Sequence, residues 1–166
     1  MAGIAHFGVG LAAKRVAPKV PLWILLVASE FIDIIWFIFF LLGIENITTS
    51  PWSHGMFMAL VWSVLAGLTA GLIFHHRSTG LIIGLLVFSH WVLDFVSHPM
   101  MGGPPDLPLF FENSPKVGLG LYTALGMGYA TALEVVVFAA GLAVYIVTRR
   151  QMESQTQKKV DIPSTG

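Results

Sequence analysis

Long apolar stretches separated by short polar connections dominate the sequence. Four of them are long enough, as helices, to cross a hydrocarbon layer roughly 30 Å thick. They cover about residues 22–44, 56–74, 81–98 and 119–148. Proline or small polar residues precede the first three stretches, which is typical of helix starts. The pattern predicts an all-α, polytopic membrane protein with four transmembrane helices.

The two ends of the chain do not fit this pattern. Residues 1–13 are apolar but too short to cross, and three glycines interrupt them. This favours a short interfacial or re-entrant helix over a secretory signal peptide. Residues 151–166 are polar and lack aromatic side chains, which is typical of a disordered segment. We therefore expect a single membrane-embedded helical domain over residues 1–150, followed by a disordered cytoplasmic tail.

Composition and charge agree with a membrane location. The chain of 166 residues is 55% hydrophobic and only 11% charged, which is unlike a soluble domain of this length. Eight of the nine Lys and Arg residues lie on one side of the predicted spans, and only Lys116 lies on the other. By the positive-inside rule, both termini should be cytoplasmic. No feature of the charge pattern points to a nucleic-acid partner.

Four acidic side chains lie inside the apolar stretches, which contain no Lys or Arg close to them. They are Glu30, Asp33, Asp94 and Glu134. A carboxylate at bilayer depth is costly unless it is protonated, hydrated or neutralised by a bound cation. Three histidines lie in or beside the same stretches: His54, His90 and His98. A metal ion is the simplest way to balance these groups, and since the chain has no cysteine, imidazole and carboxylate must hold it.

The third apolar stretch carries the strongest of these signals. His90, Asp94 and His98 are spaced by four, so a helix would place them on one face in successive turns. Imidazole and carboxylate groups at this spacing can hold one divalent ion. The alternative is a polar stripe that forms hydrogen bonds between helices.

The remaining candidates are spread along the chain. Glu30 and Asp33, three apart, should lie on one side of the first helix. Asp33 is a candidate ligand or bridging carboxylate, and Glu30 is a candidate general base or a group that supports the ligands. The alternative is a protonated acid that is hydrogen-bonded to a neighbouring helix. Glu134 is predicted to be a general acid or base, or else a buried neutral acid. His54 and His6 are further candidate ligands, or else polar residues at the interface.

The connection between the third and fourth stretches differs from the others. Residues 99–117 are rich in Pro and Gly and should be extracytoplasmic, where they could act as a lid or mouth. Asp106 and Lys116 in this loop could position an anionic substrate or cap a helix.

Four short motifs between Ala5 and about Phe138 carry a family resemblance. They are Ala5-His6-Phe7-Gly8, Glu30-Phe31-Ile32-Asp33, Trp52-Ser53-His54-Gly55 and His90-Trp91-Val92-Leu93-Asp94. Together they resemble motifs of small membrane-bound, metal-dependent hydrolase-like proteins of the DNA-damage-inducible, inner-membrane type. The resemblance implies hydrolase activity and a site built from these histidines and acids.

We accordingly predict a membrane-embedded hydrolase that acts on a lipid phosphoester or a small molecule. Its divalent ion would be zinc, with manganese as the alternative. The predicted ligands are His6, Asp33, His54, His90, Asp94 and His98, and the predicted catalytic residues are Glu30 and Glu134. Membrane lipid is the expected partner, and a homo-oligomer is compatible with the sequence.

Two other functions use the same residues. The acids and histidines could form a proton or divalent-cation conduit through the bundle, since they are spread from one side of the membrane to the other. They could also be internal polar contacts of a scaffold that has no open cavity.

Overall fold

The structure is a computed structural model that describes residues 3–47, 50–100 and 102–161. Helices make up most of it. The helices are α1 (Ile4–Ala12), α2 (Leu22–Ser29), α3 (Phe31–Leu41), α4 (Met56–Ile73), α5 (Arg77–Ser97), α6 (Leu121–Leu125) and α7 (Met127–Asp161). A 3₁₀ turn over Ala13–Arg15 follows α1. Strands β1 (Leu107–Pro108) and β2 (Lys116–Val117) form a short antiparallel pair. The prediction of a mainly helical protein is confirmed.

Three of these helices are long and apolar enough to cross a membrane. They are α4, α5 and α7. The bent pair α2 and α3 passes the same test when taken together, so the number of spans rises to four if that pair is one span. The membrane character predicted from the sequence is therefore supported, while the presence of four transmembrane spans remains a prediction.

The first predicted span is not one continuous helix. It breaks at Glu30 (φ −102°, ψ 7°), and the axes of α2 and α3 differ by 60°. The Ser29 hydroxyl donates to the carbonyl of Leu26 at 2.9 Å, a contact of the kind that bends helices. The bend turns the backbone of Ser29 and the side chain of Asp33 toward the interior of the bundle.

The last predicted span is also interrupted, and it extends further than expected. Gly126 (φ 80°, ψ 157°) separates α6 from α7. In place of the predicted disordered tail from Gln151, α7 continues through Asp161. Arg149 and Glu153, one turn apart and 2.9 Å from each other, support this extension. The last five residues of the predicted tail lie outside the described residues.

The short N-terminal helix is present, and glycines let it approach its neighbours closely. A Cβ atom on Gly8 would lie 2.7 Å from the Cα atom of Phe138 in α7. A Cβ atom on Gly10 would lie 2.7 Å from Oγ of Ser29 at the end of α2. These contacts hold α1 between α2 and α7, and they place His6 against α5.

We predict that Gly8→Ala destabilises the protein by about 1–3 kcal/mol, because the added methyl group must displace the backbone of α7. The matched control is Gly128→Ala, since a Cβ atom there meets nothing within 4 Å. Thermal unfolding in detergent, monitored by circular dichroism, gives the stability of both variants. Equal stability of Gly8→Ala and the wild type would show that α1 does not pack on α7 as described.

A candidate metal centre of histidine and aspartate

Five predicted site residues from four segments of the chain meet at one point. They are His6 in α1, Asp33 in α3, His54 just before α4, and His90 and Asp94 in α5. Four of the five are buried, with His90 only 1% exposed. The side chain of Asp33, in contrast, is 45% exposed. The cluster is therefore enclosed on most sides and accessible at Asp33.

The spacing of four predicted that His90, Asp94 and His98 share one face of α5. The structure places His90 and Asp94 on such a face. His90 Nε2 lies 3.3 Å from Asp94 Oδ2, one turn along the helix. His98 does not join them, because α5 ends at Ser97 and the backbone of His98 is extended (φ −75°, ψ 144°). Its Nδ1 atom lies 3.1 Å from Asp106 Oδ1 in the loop. The predicted ligand role of His98 is thus replaced by a contact with Asp106.

His54 reaches the cluster from the turn that precedes α4. Its backbone N–H donates to the carbonyl of Ser50 at 2.9 Å, and α4 begins two residues later. The indole N–H of Trp91 donates to the carbonyl of His54 at 2.9 Å. The His54 Nε2 atom lies 3.2 Å from Asp33 Oδ1 and 3.6 Å from Asp94 Oδ2.

The hydrogen bond of His90 to the bend fixes its tautomer. Nδ1 of His90 lies 2.7 Å from the carbonyl oxygen of Ser29, and because a carbonyl only accepts, Nδ1 must carry the hydrogen. In the neutral ring, the Nε2 lone pair then faces the carboxylates of Asp94 and Asp33 at 3.3 and 3.5 Å. A lone pair and a carboxylate repel each other at this distance unless a proton or a metal cation lies between them. Consistently, Nε2 of His90 and Oδ2 of Asp94 are buried without a hydrogen-bond partner among the described residues.

The separations between the donor atoms also fit a divalent ion. Charge-assisted hydrogen bonds between nitrogen and oxygen are usually about 2.7–2.9 Å long. The four imidazole–carboxylate distances of His54 and His90 to Asp33 and Asp94 are instead 3.2 to 3.6 Å. A tetrahedral ion with metal–ligand distances of about 2.0–2.1 Å separates its ligands by about 3.4 Å. Nitrogen and oxygen ligands of this kind suit zinc or manganese.

Two overlapping groups of side chains in the described residues can hold a metal ion. The first is His54, His90 and Asp94, and the second is His6, Glu30, Asp33 and His90. Within each group, one donor atom of every residue lies within 4.8 Å of those of the others. Since His90 belongs to both, the two groups form one continuous centre.

His6 contributes to this centre from α1. Its Nε2 atom lies 3.5 Å from Asp94 Oδ1, and its ring stacks on that of His90 with centroids 3.8 Å apart. Burial lowers the pKa of His6 to about 4. His6 is therefore neutral near pH 7 and offers a nitrogen lone pair.

The two predicted catalytic acids occupy different places. Glu30 lies at the bend beside the second group, and its Oε1 atom is buried without a hydrogen-bond partner among the described residues. Glu134 lies on α7 outside both groups, and the hydroxyl of Tyr122 donates to its Oε1 atom at 2.7 Å. A cavity of about 100 Å³ is lined by Glu134, Tyr122 and His6 among other residues.

One residue close to the centre was not identified from the sequence. Glu45 is only 4% exposed and contacts the turn that carries His54. An acid just after an apolar stretch is usually at the membrane surface in contact with water, so its position alone gives no sign of burial.

The loop after α5 covers the start of α4. The backbone N–H of Phe57 donates to the carbonyl of Leu109 at 3.0 Å. Gly55 approaches the backbone of Phe110 so closely that a Cβ atom would lie 2.8 Å from its carbonyl oxygen. The β1–β2 hairpin therefore closes the centre on the side of His54, which leaves the side of Asp33 open.

Comparison with known proteins identifies no relative: no family model, no curated protein and no solved structure matches the chain.

We predict that His98 titrates above its usual pKa of 6.5. Burial lowers the pKa of His98, but the hydrogen bond to Asp106 and nearby carboxylates outweigh burial and raise it. The pair should thus stabilise the loop below pH 6.5, and this stabilisation should be lost as the pH rises through the folded-state pKa. NMR of ring-labelled histidine in micelles measures the pKa.

Asp106→Asn should lower the pKa of His98, whereas Glu112→Gln, at another acid of the loop, should leave it unchanged. A pKa of His98 that is the same in Asp106→Asn and the wild type would contradict the pairing.

Proposed function

We propose that the protein is a membrane-embedded, metal-dependent hydrolase. Its divalent ion is held by His54, His90 and Asp94, with Asp33 beside them at the opening. The observation that carries this proposal is the Nε2 atom of His90, which is buried, lies 3.3 to 3.5 Å from two carboxylates and has no hydrogen-bond partner among the described residues. Zinc is the ion that these ligands suit best, and manganese is the alternative.

The arrangement of the ligands resembles that of a catalytic zinc site more than that of a structural one. Catalytic zinc sites have three protein ligands and one position that stays open, whereas structural sites are closed. Three ligands are buried here, and a fourth residue beside them, Asp33, is partly exposed. A bound ion supplies Lewis acidity, which activates water and polarises an ester oxygen.

Glu30 is the residue that accepts the proton from the attacking water. It lies within the same group of side chains as Asp33 and His90, and its buried Oε1 atom has no competing hydrogen-bond donor among the described residues. Its place at the break between α2 and α3 holds it beside the opening. Asp33 orients the substrate or the water from the exposed side.

A membrane lipid with a phosphoester is the substrate that the surroundings favour. The opening at Asp33 lies on α3, whose exposed side chains are apolar, such as Phe37 at 55% exposure. The hairpin covers the opposite side. A substrate dissolved in the bilayer can reach Asp33 sideways, and its negative phosphoester complements a cation.

The orientation in the membrane follows from the basic residues. We propose four spans, with α2 and α3 counted as one, and both termini on the cytoplasmic side of a bacterial-type inner membrane. Lys14 and Arg15 follow α1, Arg77 lies between α4 and α5, and Arg149 lies near the end of the apolar part of α7. This distribution supports the proposal through the positive-inside rule.

The cavity beside His6 favours a second candidate, a proton or divalent-cation conduit. His6, Tyr122 and Glu134 all line it, so polar groups continue from the centre to α7. A cavity of about 100 Å³ has room for a few water molecules. Ion flux into liposomes without cleavage of any ester would favour the conduit over the hydrolase.

We predict that the purified protein retains stoichiometric zinc or manganese, and that His90→Ala and Asp94→Ala each remove it. The reason is that each substitution deletes a buried donor atom of the centre. Elemental analysis by mass spectrometry gives the metal content, and circular dichroism checks that the helices are retained. His75→Ala, at an exposed histidine between α4 and α5, is the control and should keep the metal. An unchanged metal content in both site variants would exclude the proposed ligands.

A second prediction concerns the proton acceptor. Glu30→Gln should retain the metal but lower the rate of hydrolysis about 10²- to 10⁴-fold, since the amide cannot accept the proton. The rate is measured with the zinc-loaded protein on a panel of phospholipids in mixed micelles and on water-soluble aryl phosphates. Glu112→Gln is the control. A Glu30→Gln variant as fast as the wild type would remove Glu30 from the mechanism.

A further inference from the structure

Glu45 is the buried acid that the proposed mechanism does not use. It follows α3 and is 4% exposed, although it stands at the end of an apolar stretch. Its Oε1 atom accepts the backbone N–H groups of Trp52 at 2.6 Å and Ser53 at 3.0 Å. Its Oε2 atom lies 2.7 Å from the Ser53 hydroxyl. The carboxylate therefore holds the turn that precedes His54 by three hydrogen bonds.

These contacts set the direction of the next hydrogen bond. Two backbone donors on Oε1 favour a carboxylate at Glu45, and a carboxylate only accepts, so the Ser53 hydroxyl donates to Oε2. Ser53 Oγ can then only accept from His54 Nδ1, which lies 2.9 Å away. The hydrogen of the neutral His54 ring is thus on Nδ1.

The consequence appears at the other nitrogen of the ring. With its hydrogen on Nδ1, His54 presents the Nε2 lone pair to Asp33 and Asp94 at 3.2 and 3.6 Å. His90 has the same tautomer for a different reason, since its Nδ1 donates to the carbonyl of Ser29. The rings of His54 and His90 thus both direct Nε2 toward Asp33 and Asp94. Each ring is held by a separate hydrogen bond at its Nδ1 atom.

We infer that Glu45 is a positioning residue of the metal centre, which acts through Ser53 to fix the tautomer and the orientation of His54. This inference rests on the proposed function for its purpose, but the tautomer is a property of the metal-free protein. Groups that hold a ligating histidine from behind typically change metal affinity about 10- to 100-fold when they are removed.

A purely structural role for Glu45 predicts something different. Its bonds to the backbone of Trp52 and Ser53 would hold the turn even if the Ser53 hydroxyl were absent. Deleting that hydroxyl therefore separates the two roles, because it leaves both backbone bonds in place and removes only the link to His54.

The experiment compares Ser53→Ala and Glu45→Gln with the wild type. Nitrogen NMR of ring-labelled histidine in the metal-free protein reports the tautomer of His54, and competition with a chelator reports the dissociation constant for zinc. We expect Ser53→Ala to populate the Nε2–H tautomer and to bind zinc about 10- to 100-fold more weakly. Glu45→Gln should change both in the same direction.

The matched control is Ser63→Ala. Ser63 is also buried, but its hydroxyl donates to the carbonyl of Ala59 within its own helix, so its loss should alter neither measurement. Circular dichroism and thermal unfolding check that each variant keeps its fold.

The possible results separate the two proposals. If the wild type binds zinc and both variants bind it equally well with the Nδ1–H tautomer retained, the role of Glu45 is overturned while the metal centre stands. If the wild type binds no zinc, the proposed function fails, and the tautomer in the metal-free variants still decides whether Glu45 acts through Ser53.

Discussion

The hydrogen bond between His90 and the carbonyl of Ser29 links the chemistry of the centre to the shape of the fold. It depends on the break at Glu30, since the bend between α2 and α3 turns the Ser29 carbonyl toward α5. In return, the bond gives a partner to a carbonyl beside the helix break, which would be costly to leave unpaired inside an apolar bundle. The bend and the orientation of His90 therefore stabilise each other.

Close packing of small residues allows so many polar groups to meet inside an apolar protein. Glycines at positions 8 and 10 bring α1 against α7 and α2, and this places His6 over the ring of His90. The hairpin closes another side through Phe57 and Leu109. These segments enclose most of the centre. In such an enclosed site charges interact strongly, and each polar atom needs a partner.

The sequence predicted those parts of the centre that depend on local helix geometry. His90 and Asp94 share a face because a helix repeats every 3.6 residues, and α5 is a regular helix at both positions. The same rule did not hold for His98, since the helix ends one residue before it and Asp106 binds its ring. The spacing of three between Glu30 and Asp33 was interpreted on a straight helix, whereas the chain bends there.

Other features depend on contacts between distant segments, which no local pattern encodes. The burial of Glu45 requires the turn at Trp52 and Ser53 to fold over it. The pairing of Glu134 with Tyr122 requires the break at Gly126, which brings α6 back against α7. The helix beyond Gln151 is polar, so hydrophobic periodicity could not distinguish it from a disordered segment.

The order in which the donor residues occur along the chain has a consequence for biogenesis. A ribosome delivers His6 first and Asp94 much later, and the donor atoms come together only when α5 stands beside α2 and α4. No partly inserted chain that lacks α5 possesses the complete site. Capture of a metal ion at this site would therefore require α1 to α5 to be packed together, and an ion bound there would mark a chain that has reached this stage.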